Sequence, residues 1–544
     1  FHLACDAGNE SAVRLLRDRK RRPHRPFAVM ARDLETVRRV CTVSAAEEQQ
    51  LTSPAAPILL LPYSGGGIAP SVAPGLNTLG VMLPYTPLHL LLLQAGPPVL
   101  VMTSGNPSGL PLCIDEAEAY AYLGHIADAF LIHNRPIHVP CDDSVLQVSG
   151  GEPFFLRRSR GYVPRPIVVS GGEGPAWLGV GGEIKNTFCL LSGERAVFSQ
   201  HLGDQVSEEA RANFLRALAS MERLTGIEPE GVAYDMHPGY RSTALARELP
   251  LGRKVAVQHH HAHLAACMAD NRLDDEVIGL VLDGTGYGTD GAIWGFEVLA
   301  GGFTDFRRIA HLAYSPLPGS EAAIHQPLMA AAGLVAAHLG EAGLDRLTAL
   351  VEGATFCGSG SPAGAGGSAR EVAVARAMIR SGLNCPPAGT AGRLFDGVSA
   401  LLGICRRQTY EGQAAIELGA VADSGPAYPV GLKDDLIDPG LLLDGLLTDL
   451  GRGMPREYLA GRFLSTVAAM AVTGAEAART ATGLNRVCLS GGTFQSAWLL
   501  AAVSDGLTAK GFDVYRHRAV PPGDGGIALG QAMIARRRWQ LGCV

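Results

Sequence analysis

Several things are missing from this 544-residue chain, and each absence removes a class of protein. No two of its 11 cysteines form a CxxC pair, and no zinc-ribbon spacing is present. Scattered cysteines in odd number fit buried thiols in a reducing compartment, so a cytoplasmic location is expected. The longest apolar run, Pro87–Ala95, is too short to cross a bilayer, and no signal peptide is visible; no membrane role is expected. No Gly-rich stretch ends in GKS or GKT, which excludes a Walker A ATPase. The formal net charge of -6 argues against a dedicated nucleic-acid binder. The chain opens on Phe1 in sequence that reads as mid-domain, so a piece of a longer protein is expected.

The length exceeds what one core usually serves, and two or more domains are expected. Residues 1–165 alternate apolar runs with helical patterns. The expected strands are 26–30, 57–61, 79–84, 98–105, 130–133 (FLIH) and 144–148, an α/β arrangement. The Pro- and Gly-rich segment 163–175 marks a boundary, giving domains at 1–168 and 176–544. Ser207, followed by Glu208 and Glu209, should cap a long helix to Leu224. A strand, Gly-rich turn, strand theme after Trp177 recurs at 277–302, which suggests an internal duplication. Residues 358–368, GSGSPAGAGGS, read as a loop without core-forming residues.

Three constellations carry chemistry. The first sets Lys20, Arg21, Arg22 and Arg25 before a strand, with TSGNPSG (Thr103–Gly109) at the end of another. Cations can hold a triphosphate, and the hydroxyls and N–H groups of such a turn suit an anion; a solvated basic helix end and a plain β-turn fit the residues as well. The second is HHHAH, with His259 and His263 four apart on one helix face. Two imidazoles so spaced suit one metal ion, though a helix end that is merely His-rich fits them as well; Asp283 and Asp524, each in a Gly-rich segment, suit the ion's oxygen side, and an oxygen-rich, imidazole-containing set fits Fe2+, Zn2+ or Mn2+ better than a structural thiolate site does. The third comprises three Gly-rich segments expected to follow strands: GVGGEIKNT (Gly179–Thr187), DGTGYGTDG (Asp283–Gly291) and LSGGTFQS (Leu489–Ser496). Their N–H groups can cradle phosphate.

The first module resembles the YrdC-type adenylate-forming family. Its tetrad is matched by Lys20, Arg22, Ser104 and Asn106, with VPCDDSV and FLRRSRGYVP also in place; Arg25 stands where that family has Lys. The resemblance implies that Arg157, Arg158 and Arg160 surround a triphosphate, with Arg158 carried into the catalytic set. Residues 176–544 resemble the carbamoyltransferase domain of the HypF family, of actin/acetate-kinase-like (RNase H-like) two-lobed fold, through GGEIKNTF, QHLGD, YDMHPGY, GRLFDGVSALLG and YEGQAAIELG. A YrdC-like twisted mixed sheet followed by a duplicated α/β ATPase fold is therefore implied. So are metal ligands His259, His263, Asp283 and Asp524. Phosphate contacts are implied at Gly181, Gly182, Lys185, Asn186, Thr187, Gly284, Thr285, Gly286, Gly491 and Gly492, and nucleoside contacts at Arg393, Asp396 and Gly397. The resemblance implies ATP and Mg2+ beside the divalent metal. The activity implied is formation of carbamoyl adenylate from ATP and carbamate, itself derived from carbamoyl phosphate. Transfer then goes to the C-terminal cysteine of HypE for hydrogenase cyanide ligands, by a closed passage. His260 or His261 is open as the thiol's base. Alternatives are a tRNA threonylcarbamoyladenosine fusion, which shares both modules, an O-carbamoyltransferase, whose module order is reversed, and a non-catalytic nucleotide-gated scaffold.

Overall fold

The computed structural model describes residues 1–353 and 365–544, with the side chains of 365–368 excepted. Three sheets organise it. The first contains β1 (His2–Asp6), β2 (Ala28–Ala31), β3 (Ile58–Pro62), β4 (Thr78–Met82), β5 (Val99–Ser104), β6 (Val145–Ser149) and β7 (Glu152–Arg157). Their order is β1-β5-β2-β4-β3-β6-β7, with parallel and antiparallel pairs mixed. Five of the six expected strands are there. The sixth, FLIH, is not a strand: it runs as irregular chain at the surface, with Leu131 and Ile132 60% and 46% exposed.

The second sheet holds β8 (Ile167–Val168), β9 (Trp177–Gly179), β10 (Cys189–Ser192), β11 (Arg195–Phe198), β12 (Gly231–Asp235) and β13 (Arg253–Val257), in the order β13-β12-β9-β10-β11-β8. The third holds β14 (Val277–Tyr287), β15 (Ile293–Gly301), β16 (Phe306–Leu312), β17 (Ser315–Pro316), β18 (Pro387–Thr390), β19 (Gly431–Lys433), β20 (Leu436–Asp438), β21 (Arg486–Ser490) and β22 (Asp513–Arg516). Its main path is β19-β20-β16-β15-β14-β21-β22. The series β13-β12-β9-β10-β11 and β22-β21-β14-β15-β16 are equivalent. In each, two parallel steps lead to the first strand, and two antiparallel steps follow. That is the duplication the repeated motif suggested.

By internal contacts the chain forms two compact units. One contains Phe1–Val257, Ala265–Asp274 and His517–Val544; the other contains Gln258–Leu264 and Asp275–Arg516. In the first unit, the helix Glu208–Thr225 is capped by Ser207, which accepts from the N–H of Ala210, as its sequence predicts.

Two further expectations change. Residues 358–364 of the small-residue stretch lie outside the described residues, and from Ala365 the chain is already helical, through Ser381. The helix Pro327–Glu352 exceeds Pro87–Ala95 in apolar length and is, among the described residues, the one long and apolar enough to cross a membrane. Its most apolar window is 61% buried within the protein, and Gly340 breaks its helical geometry at φ 64° and ψ -157°. Every described cysteine is a free thiol.

Candidate functional site

The first cation group is built at a helix end. Arg21 adopts φ 51° and ψ 47°, which stops the helix Glu10–Lys20 and turns the chain into the loop that carries Arg22 and Arg25. Arg17, which the motif reading passed over, braces that loop by donating to the carbonyls of Arg22, Pro23 and Arg25. Lys20 is buried. Its Nζ donates to the carbonyl of Ser104, to the carbonyl of Asn106 at 3.2 Å and to Asn106 Oδ1 at 3.3 Å. Ser104 Oγ donates to the same Oδ1 at 2.6 Å. Burial, with the nearby charge of Arg22, pulls the Lys20 pKa down to about 7. Three members of the expected tetrad, Lys20, Ser104 and Asn106, thus form one hydrogen-bonded knot. The fourth, Arg22, donates to the carbonyl of Pro26 at 2.6 Å and lies over the Phe27 ring.

Arg158 departs from its expected place. It is buried, donates to the carbonyls of Tyr162 and Arg165, and stands over the Phe198 ring. The charged group that acts on it most is Asp270. Arg157, its neighbour, pairs with Asp142 at 3.8 Å, and Asp142 also acts on Lys20. The cations acting on Lys20 itself are Arg22 and Arg25, and of the 157–160 arginines Arg157 is the one linked to Lys20's surroundings, through Asp142. Arg160 is a brace: it donates to Asp143 at 2.7 Å and to the carbonyls of Ala55 and Ala56.

The histidines lie on the helix His259–Asp270, as their spacing predicts. Both approach one oxygen of Asp283: His259 Nε2 is 3.3 Å and His263 Nε2 3.6 Å from Oδ2. The other oxygen, Oδ1, accepts the N–H of Gly492 at 2.8 Å. One glycine loop therefore orients the carboxylate that faces the imidazoles. Burial disfavours the Asp283 charge, but the two histidines outweigh it and hold the carboxyl well below the usual carboxylate range. Donor atoms sharing one ion at about 2.1 Å stand roughly 3.0–3.4 Å apart; the His259 separation falls in that range and the His263 one just beyond it, both longer than short hydrogen bonds. His259, His263 and Asp283 accordingly fit a divalent metal.

His260 and His261, on the same helix turn, have other surroundings. His261 Nε2 donates to the carbonyl of Gly302 at 2.7 Å, and its ring packs on Phe306. Burial lowers the His260 pKa well below its ordinary value. Gly284, Thr285 and Gly286 are not in a loop after a strand, as expected, but inside β14, where the pairing with β15 shifts register between Leu282 and Gly286. The bulge lets Gly286 pass close to two rings; a Cβ there would lie 2.8 Å from His259 Cδ2. Gly491, at φ 102°, passes against the backbone of Leu282.

In the first unit, Gly181 is clasped by Gln531, whose amide accepts from its N–H at 2.8 Å and donates to its carbonyl at 3.1 Å. Asn186 donates to the carbonyls of Val180 and Gly182, and Thr187 Oγ1 to that of Gly525. These two side chains close the loop, and Lys185 leads it at φ 47° with its N–H on Asp204. Asp524 is buried at the start of the final helical segment; a Cβ on Gly182 would meet its Oδ2 at 3.1 Å. In the second unit, Arg393 Nε donates to Asp396 Oδ2 at 2.6 Å, and Gln408 donates to Asp396 Oδ1 at 2.9 Å. Gly397 is where two helices touch: a Cβ would lie 2.7 Å from Leu334 Cδ1 and 3.2 Å from Ala331 Cα.

Comparison with known proteins identifies the family of each part of the chain. Residues 1–159 match the Sua5/YciO/YrdC family, described as telomere recombination. Residues 172–270 match the HypF Kae1-like domain, and 279–531 match the second subdomain of the Kae1-like carbamoyltransferase domain. Carbamoyltransferase HypF of Rhodobacter capsulatus is 41% identical over 545 residues, covering 98% of this chain and 70% of that protein. Carbamoyltransferase HypF2 of Cupriavidus necator is 39% identical over 590 residues, covering 99% and 70%. Among solved structures, a full-length HypF in its phosphate- and nucleotide-bound form is 42% identical with a TM-score of 0.92, covering all of this chain and 84% of that one. The HypF of T. kodakarensis superposes with a TM-score of 0.91 at 34% identity, covering 99% and 70%. Fold and similarity together define a carbamoyltransferase. The chain belongs to the HypF family.

Proposed function

We propose that this enzyme makes carbamoyl adenylate from carbamate and ATP, and passes the carbamoyl group to the C-terminal cysteine thiol of a HypE-type partner in hydrogenase maturation. The observation that carries the first half is the Lys20–Ser104–Asn106 knot, a buried cation held at the end of a strand in the YrdC-like part of the chain. A carbamate oxygen attacks the α-phosphorus of ATP and pyrophosphate leaves. Lys20, Arg22 and Arg157 offset the charge on the phosphates, which is where most of the stabilisation in phosphoryl chemistry arises. Mg2+ accompanies the ATP.

The second half takes place in the Kae1-like part, from residue 176 on. His259, His263 and Asp283 hold a divalent metal, Fe2+ or Zn2+. Bound there, the metal would act as a Lewis acid towards the adenylate phosphate. Gly182, Gly284, Thr285, Gly286 and Gly491 are assigned to phosphate through the backbone and Lys185 through its charge, while the N–H groups of Gly181 and Gly492, engaged by Gln531 and Asp283, hold the loops in shape. Arg393, with a buried Nη1 that has no protein partner, and Asp396 are assigned to the nucleoside. The labile intermediate must be kept from water between the two steps. Pyrophosphate exchange into ATP, with carbamate supplied directly, tests the reading. Carbamate-dependent exchange supports it, and its absence would remove the adenylate.

A further inference from the structure

The helix His259–Asp270 opens beneath Gln258, whose amide can take one orientation only. Its Oε1 accepts the N–H of His261 at 2.8 Å, and its Nε2 donates to the carbonyl of Tyr287 at 3.1 Å. Reversal would set oxygen against carbonyl oxygen and N–H against N–H. The second contact of Nε2 is His260 Nδ1 at 3.2 Å, which must then accept. A ring with a lone pair on Nδ1 is neutral and carries its proton on Nε2. His260 therefore presents an Nε2–H, which is shut from bulk water and has no hydrogen-bond partner in the protein. A buried donor left unmet is costly, and such groups recur where a ligand completes them.

The ring that carries this donor is part of the metal neighbourhood. Its centroid lies 5.3 Å from that of His259 and 6.4 Å from that of His263. It also faces Gly286, where a Cβ would come within 3.0 Å of His260 Nδ1 and 2.8 Å of His259 Cδ2. A side chain at 286 would wedge between the strand and both rings. We propose that His260 Nε2–H donates a hydrogen bond to a phosphoryl oxygen of the nucleoside phosphate seated at the His259–His263–Asp283 group. This rests on the function proposed above only for the presence of that phosphate. A neutral donor adds no charge beside a metal cation, which an imidazolium would repel. With Nδ1 engaged and Nε2 already protonated, His260 has no site at which to accept the acceptor thiol's proton, so it is not the base.

The test measures AMP binding to the metal-loaded chain by calorimetry, with metal content determined in parallel. His260→Phe should keep its metal and bind AMP about tenfold more weakly, as loss of a hydrogen bond to a charged group does. His260→Gln returns an N–H near the Nε2 position and should recover most of the affinity. In 15N-histidine-labelled protein, the resonances lost in His260→Gln should report the Nε2–H tautomer. Unchanged AMP affinity in His260→Phe, metal loss in both variants, or an Nδ1–H tautomer would each overturn the proposal. Pyrophosphate exchange is read separately. Its absence alongside His260-dependent AMP binding would sink the function proposed above and leave this inference standing.

Discussion

Arg157 and Arg158 are adjacent in the chain and face different surroundings: Arg157 pairs with Asp142, which also acts on Lys20, while Arg158 is buried over Phe198 with its guanidinium on two backbone carbonyls. Arg157 closes β7 and Arg158 lies just beyond it, and the two guanidinium groups have no partner in common. Arg157→Ala should raise the KM for ATP in pyrophosphate exchange with little change in melting temperature. Arg158→Ala should lower the melting temperature and leave that KM near wild type. Opposite results would return Arg158 to the triphosphate.

Lys20 should take up a proton when ATP binds. Its pKa of about 7 lies below that of a lysine in the unfolded chain, so between those values the unfolded chain binds more protons than the native one. Stability therefore rises with pH through that window, and at pH 8 the free enzyme holds a larger neutral fraction of Lys20 than an exposed lysine has. Triphosphate favours the charged form. Calorimetric titration of ATP at pH 8, in buffers of different ionisation enthalpy, should show net proton uptake that disappears in Lys20→Ala. The same variant should lose pyrophosphate exchange. ATP binding without proton uptake would mean that Lys20 is already charged.

His263→Ala should abolish carbamoyl transfer and leave pyrophosphate exchange intact. It removes one imidazole from the group around Asp283 Oδ2, whereas the Lys20 knot is built from other residues. Metal content measured by elemental analysis should fall together with transfer. Loss of exchange as well would make the histidines structural or the two activities tightly coupled.

Gly286→Ala should act on the metal group without touching a ligand. The added Cβ would crowd His259 Cδ2 and the His260 ring, both buried. Overpacking of this kind costs about 1–3 kcal/mol. Reduced metal content with a small drop in melting temperature is expected. Full metal content would show that β14 can yield at its bulge.

Gly397→Ala should instead lower the melting temperature with metal content unchanged, because its Cβ would press on Leu334 and Ala331 at a helix contact. If stability were unaffected, the helices would have to separate by a few tenths of an ångström at little cost.

Much of the enzyme can be read without coordinates. Apolar runs with turn residues at their ends foretell β2 to β6, and Ser207 with two glutamates foretells a helix start, because these signals are local. The i, i+4 spacing places His259 and His263 on one helix face by geometry alone. What the tertiary structure decided depends on partners remote in sequence. Asp283 faces the imidazoles with one oxygen because Gly492, 209 residues away, holds the other. The His260 tautomer follows from Gln258, whose amide is oriented by the carbonyl of Tyr287, 29 residues on. FLIH has a strand's composition, yet Leu131, Ile132 and His133 remain exposed and it forms none. Backbone preference and periodicity belong to a few neighbouring residues. The direction of a buried polar atom is set by whichever donor or acceptor the fold brings opposite it, and that only the folded chain supplies.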